Sequence, residues 1–321
     1  MLEMKKINQF VLFLIWIPGI LILGCKDFLE PALTNRTLVM IAPADQLETR
    51  TYQINFWWEQ MENALSYRLQ IVKPDFNNAA ALILDTLIKG KTRFDKSFDP
   101  GTYQWRVRAE NGSSVSGYTT HSFIVHESTI QEQKVMLKLP PDQFISNSSE
   151  LKLSWEKLFG VSDYRLQVDT LDFSDEAKLV LNQLYSSNEY IFVPPKDGPF
   201  KWRVRAELGL EQSRWSEVYS IVLDRTAPAK AVLLSPVNNT FVAKPVRLQW
   251  QRIPTAKKYR LYLYKSDQVS LFSPSFPMLI SATTYLFTEA DPNEKIYWKV
   301  QAIDPAGNEG EFSDLFNFTI Q

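Results

Sequence analysis

Tyr103-Gln104-Trp105-Arg106-Val107-Arg108-Ala109 alternates bulky apolar residues with polar or charged ones. That is the period-two signature of a strand with one buried face and one wet face. The pattern returns as Phe200-Lys201-Trp202-Arg203-Val204-Arg205-Ala206 and as Tyr297-Trp298-Lys299-Val300-Gln301-Ala302. Upstream of each copy lies a Trp/Tyr pair: Trp58 and Tyr67, Trp155 and Tyr164, Trp250 and Tyr259, each nine residues apart. From those tyrosines to Trp105, Trp202 and Trp298 the distances are 38, 38 and 39 residues. A register held three times over identifies a tandem array of one module of about 95 residues.

The inward positions of the preceding strand repeat too: Ile54, Phe56, Trp58; Leu151, Leu153, Trp155; Val246, Leu248, Trp250. Tyr67, Leu69 and Ile71 point inward on the next strand, with Arg68 and Gln70 outward. Ile41-Ala42-Pro43 opens an edge strand, where a missing N–H is tolerated. Asp99-Pro100-Gly101 and Asn111-Gly112 are turn signals. Helical periodicity is nearly absent; Phe76 to Leu84 and Phe173 to Leu181 are the two segments expected to hold a helical turn. Module one is placed at residues 37–127, module two at 134–224 and module three at 229–321, with residues 128–133 as a polar linker. The proline-bearing Arg225-Thr226-Ala227-Pro228 is the second joint. Such short linkers make semi-rigid joints.

Length fits this count, since 321 residues suggest two or three domains. Hydrophobic residues make up 45% and charged residues 22%, ordinary globular values, so each module can bury its own core. The net charge of −1 without basic runs excludes non-specific nucleic-acid binding. A single cysteine excludes an intrachain disulfide.

The first residues have a different character. Lys5 and Lys6 precede an apolar run from Phe10 to Gly24 that is short for a membrane span and interrupted by Pro18-Gly19. Leu21-Ile22-Leu23-Gly24-Cys25 resembles the lipobox of bacterial lipoproteins. The resemblance implies a signal peptide over residues 1–24, cleavage before Cys25, and acylation of that residue. Lys26, rather than aspartate, after the cysteine implies delivery to the outer membrane. Residues 25–36 are read as a tether. A plain secretory signal with an incidental cysteine is the alternative.

Many short strands with proline-bearing edges indicate an all-β fold of sandwiches in a row. More specifically, each module resembles fibronectin type III, in which a tryptophan lies on the second strand, a tyrosine starts the third, and a Tyr-x-x-x-Val-x-Ala pattern marks the sixth. Trp58, Tyr67 and Tyr103 to Ala109 stand in those positions, and the match spans nearly all of residues 37–321. Trp105, Trp202 and Trp298 inside the sixth-strand motif depart from the pattern. The resemblance implies a sandwich module and no single activity.

Candidate sites follow from the outward faces. Arg106 and Arg108 are joined by Tyr118, thirteen residues after Trp105; Arg203 and Arg205 are joined by Trp215, thirteen after Trp202; Phe312 follows Trp298 by fourteen. Guanidinium groups over aromatic faces predict a structural ladder on one sheet face. Arg214-Trp215-Ser216 resembles half of the Trp-Ser-x-Trp-Ser element of cytokine-receptor modules. Trp57 is the variable position, replaced by Ser154 and Gln249, and faces away from the core. It is a candidate for stacking on a sugar or a partner protein, against the alternative that a loop or neighbouring domain covers it. Tyr262 and Tyr264, with Lys299 and Gln301, form a second candidate surface, against simple cross-strand packing.

Catalysis finds no support. His121 and His126 lie on one strand and point to opposite faces, a poor metal pair. No phosphate loop or nucleophile elbow exists. Asp304 and Asn308 read as a turn rather than a calcium site. The expectation is therefore a lipid-anchored, non-enzymatic envelope protein without cofactor or metal. It binds a glycan or protein, or else serves as a passive spacer; an enzyme built on scattered carboxylates is the remote third reading.

Overall fold

The computed structural model describes residues 30–321, all β but for two short 3-10 turns. The expected signal peptide, Cys25 and the first part of the segment read as a tether lie outside the described residues.

Module one pairs a three-stranded sheet with a five-stranded one. The first orders Met40–Ala42, Gln53–Trp58 and Arg93–Ser97. The second orders Leu47–Thr49, Thr119–Val125, Gly101–Glu110, Ser66–Lys73 and Ala81–Lys89. Modules two and three repeat this arrangement, each adding a two- or four-residue strand, Glu211–Gln212 or Glu309–Phe312, at the end of the long sixth strand. The chain is thus a row of three fibronectin type III-like β-sandwiches.

The opening strand changes sheets in every module. Met40–Ala42 pairs antiparallel with Gln53–Trp58, and then Leu47–Thr49 pairs parallel with Thr119–Val125. Pro43, Pro140 and Pro236 lack the N–H that would prolong the first ladder. Gln46, Gln143 and Asn239 then take φ values of 59°, 61° and 62°, turning the chain toward the other sheet. A short polar side chain locks each turn. Asp45 Oδ1 accepts from Ser122 N at 2.8 Å, Asp142 Oδ1 from Ser220 N at 2.7 Å, and Asn238 Oδ1 from Asn317 N at 2.8 Å. These hydrogen bonds hold the carboxyls of Asp45 and Asp142 below the usual aspartate range.

Alternation puts the repeated tryptophans where the pattern expects them. Trp58, Trp105, Trp155, Trp202, Trp250 and Trp298 are all fully buried. Phe56 meets Trp105 edge-on at 5.0 Å, and Trp250 lies 6.3 Å from Trp298. Truncating a buried aromatic of this kind costs about 3–5 kcal/mol. All six indole N–H groups lack a protein acceptor. Each therefore subtracts roughly 1–3 kcal/mol in lost hydration, which the buried ring area must exceed. The spacing of nine between Trp and Tyr has a cause. Tyr67, Tyr164 and Tyr259 use their hydroxyls to accept the backbone N–H of Met61, Leu158 and Ile253, at 2.9, 2.9 and 2.8 Å. The loop between the two strands is pinned at that length.

Two expectations need correction. Residues 76–84 contain no helical turn: Phe76 to Ala80 is an irregular bend, and Ala81–Lys89 is a strand. The counterpart in module two does hold one, Glu176–Lys178, started by Asp175, whose side chain accepts from Ala177 N. The end of the tether is not free either. Leu33 is buried in module one, and its N–H donates to Ser114 Oγ at 2.9 Å. The polar linker likewise carries a 3-10 turn, Ile130–Glu132, with Ile130 buried.

Candidate functional site

Three surfaces bear on function: the outer face of the large sheet, the Trp57 position, and the joint between modules one and two.

On the large sheet, register sets Arg106 opposite Gln70 and Arg203 opposite Gln167. Each glutamine Oε1 accepts from the arginine Nε at 2.9 Å. The guanidinium of Arg106 lies 4.1 Å from the Phe76 ring and 4.2 Å from Tyr118, so it is held between two rings. Arg203 sits the same way between Phe173, at 4.2 Å, and Trp215, at 4.1 Å. Arg108 and Arg205 extend the stacks over Tyr118 and Trp215, at 4.8 and 4.6 Å. Burial and the neighbouring Arg205 charge lower the pKa of Arg203. At the end of the module-two stack, Glu207 accepts from Arg165 Nε at 2.7 Å and Arg205 Nε at 2.8 Å. Those contacts, Arg165's first, depress the Glu207 carboxyl. Phe76 and Phe173, the second face of each stack, are residues that sequence reasoning missed; they lie in the segments read as helical turns.

Module three builds its stack from other parts. Lys299 replaces the arginine, 4.0 Å from Phe312 and 5.4 Å from both Tyr262 and Tyr264. The two tyrosine rings are parallel within 8° at 6.1 Å. Tyr262 and Tyr264 thus occupy module three's version of the ladder. They share neither sheet nor module with Trp57, so the two candidate surfaces do not converge.

Trp57 is half-buried, and the adjacent strand supplies a group that covers it. Arg93 stands opposite it on the adjacent strand and lays its guanidinium 4.1 Å from the indole. The contact contributes about 0.5–1 kcal/mol at an exposed site.

Beside Arg93 the first two modules meet in a cleft of about 640 Å³. The joint is held by side chains. Gln133, fully buried, accepts from Tyr52 N at 3.0 Å and donates to Arg50 O at 2.9 Å. Tyr52 meets Phe159 of module two edge-on at 6.2 Å. From module two, Glu156 Oε2 accepts from Ser97 N at 2.6 Å, and its other oxygen lies 3.8 Å from Lys96 Nζ. Neither Gln133 nor Glu156 stands out in sequence; both are polar residues among many, one within the linker and one directly after Trp155.

The other candidates resolve locally. His121 Nδ1 lies 3.3 Å from Pro43 O, and His126 Nε2 lies 2.9 Å from Glu48 Oε2. Asp304 accepts from both nitrogens of Asn308 at 2.8 Å, a closed turn. Among the described residues no three His, Cys, Asp or Glu side chains converge as metal ligands.

The chain matches no known family model and no curated protein. Among solved structures it is similar to the chicken CNTN1 FN1–FN3 domains, at 14% identity and a TM-score of 0.42, over 88% of this chain and 97% of that one. It is also similar to fibronectin(III)-like modules of Clostridium thermocellum CbhA, at 9% identity and a TM-score of 0.38, over 58% of this chain and 94% of that one. These are likenesses of fold and carry nothing about ligand.

Proposed function

We propose that the protein is a lipid-anchored, non-catalytic binding protein of the cell envelope that engages a glycan or a partner protein through its sandwich modules. The observation that carries this reading is the joint between modules one and two. There an outward indole and guanidinium, Trp57 and Arg93, stand beside a roomy cleft whose walls are clamped by Gln133 and Glu156. A prearranged surface loses little freedom when it binds. The cation/aromatic stacks support a bracing role instead, because all three modules build one at the same place, with arginine in the first two and Lys299 in the third. Anchoring rests on the resemblance of Leu21 to Cys25 to a lipobox, and several acyl chains suffice for stable attachment. The Lys26 position favours the outer membrane.

Pull-down on glycan arrays and cell-wall material tests the binding role, with Trp57→Ala expected to abolish capture. Capture unchanged by Trp57→Ala, with partner co-purification lost on scrambling module order, supports the passive spacer instead; the stacks and short joints favour that second reading. Metabolic labelling with a palmitate analogue should mark the wild type and not Cys25→Ser. Labelling of both excludes the anchor.

A further inference from the structure

The Arg93–Ser97 strand is the outer strand of its sheet, and its free edge borders the cleft between modules one and two. Hydrogen bonds at its two ends fix which backbone groups are free. Thr92 O accepts from Trp58 N, and Phe98 N donates to Tyr52 O, so the even-numbered residues bond inward. Arg93, Asp95 and Ser97 therefore turn their N–H and C=O groups outward. One is already taken: the Glu156 carboxylate accepts the Ser97 N–H, in the way a carbonyl of an added strand would. The Arg93 and Asp95 groups have no protein partner among the described residues.

Charge around this edge is unbalanced. Five cations line the cleft, Lys91, Arg93, Lys96, Lys134 and Lys138, against three carboxylates, Asp95, Glu156 and Glu217. Lys96 is neutralised by Glu156, and Lys134 by Glu217. Lys91, Arg93 and Lys138 have no carboxylate within ion-pair distance among the described residues. The cleft floor adds apolar side chains from Leu84, Phe94 and Met136. A second hollow of about 300 Å³ shares Lys96, Lys138 and Glu156 with the first and adds one cation, Lys157, and one carboxylate, Asp99, so it lengthens the groove and leaves the excess of cations unchanged.

We propose that this cleft takes an extended acidic segment of a partner protein, which adds as a strand to the Arg93–Ser97 edge. This rests on the binding role proposed above and narrows its ligand to a peptide. Main-chain hydrogen bonds to Arg93 and Asp95 supply affinity, and alternate side chains supply choice. Acidic residues of the segment meet Lys91, Arg93 and Lys138, and the apolar ones between them meet the cleft floor. Open backbone groups favour a peptide over a saccharide, because they pair in register with another main chain.

The test uses the full chain in detergent and a fluorescent peptide of alternating glutamate and valine, about eight residues long, enough for one strand. Its anisotropy should report saturable binding. Lys91→Glu with Lys138→Glu should weaken that binding by at least about tenfold. The same peptide N-methylated at alternate residues keeps its charge and loses its pairing edge, so it should not bind. Asp95→Pro removes one outward N–H and leaves the inward ladder intact, and should also weaken binding. Equal binding of the N-methylated peptide, or binding untouched by charge reversal, overturns the proposal. An oligogalacturonate that binds where the peptide does not overturns it too, while leaving the broader binding role standing. If neither probe binds and the edge charges merely guard against aggregation, the proposal falls, and the Trp57→Ala pull-down decides the broader role separately.

Discussion

Between modules one and two the buried side chains run on as one connected set from Leu33 to Leu223, whereas Ala231 to Ile320 of module three form a set of their own. Both joints are short. The first buries Gln133 and packs Tyr52 against Phe159. The second is made largely by backbone: Asn308 Nδ2 donates to Asp224 O at 2.8 Å, and Gly310 lies so close to Pro228 that a Cβ there would meet its carbonyl at 2.5 Å. Linker length and proline content therefore say little about coupling between neighbours. What matters is whether a linker side chain enters a core.

The largest test of that contrast is Gln133→Ala. The wild type should unfold in one transition for modules one and two and another for module three. Removing the glutamine orphans the buried Tyr52 N–H, at about 1–3 kcal/mol, and takes a donor from the partly buried Arg50 carbonyl. Scanning calorimetry should show the shared transition moving down and splitting, with module three unaffected. A shared transition that stays whole would mean the aromatic contact alone couples the pair.

Gly310→Ala probes the other joint. The carbonyl of Pro228 must shift to admit the methyl group, an overpacking cost of roughly 1–3 kcal/mol. Only the module-three transition should fall. A drop in both transitions would show that the second joint also transmits.

A smaller effect separates the modules through their stacks. Arg203→Lys loses the planar group held between Phe173 and Trp215 and should lower the transition shared by modules one and two by about 0.5–1 kcal/mol in urea. Module three, which already uses Lys299, should tolerate Lys299→Arg with less change.

The smallest effect is that of pH on the second joint. Asp197 accepts from Arg225 N at 3.1 Å and pairs with its guanidinium at 2.6 Å. Those contacts depress the Asp197 carboxyl below the ordinary aspartate value. A depressed folded value means the tie is complete above the unfolded pKa, about 4. It is lost as pH falls through the lower folded value. Spin-label distances between modules two and three should broaden in that acid window, and Asp197→Asn should be broad throughout.

Much of the fold is legible in the tryptophan and tyrosine spacings, because burial on a pleated strand forces a strict period and a tyrosine hydroxyl fixes the loop before it. The stack on the outer sheet face is half legible. Arg106 with Tyr118 and Arg203 with Trp215 follow from strand register, but Phe76 and Phe173 arrive from loops that no periodicity positions. The switch of the opening strand leaves only the faint trace of a proline followed by Asp or Asn. Gln133 and Glu156 leave none, since the hydrogen bonds they make across the joint go to backbone atoms of the preceding module. Trp57 is legible as outward, yet its covering group, Arg93, depends on the pairing of two strands.

The parallel alignment of Leu47–Thr49 with Thr119–Val125 has a mechanical consequence. Tension applied to the two ends of a module drags these strands lengthwise past one another. All three rungs then bear load together, instead of parting one after another as in a peeled hairpin. Each module should hold under pulling and yield abruptly, giving a sawtooth trace in single-molecule stretching. Gradual, featureless extension would show that the strands slide under little load.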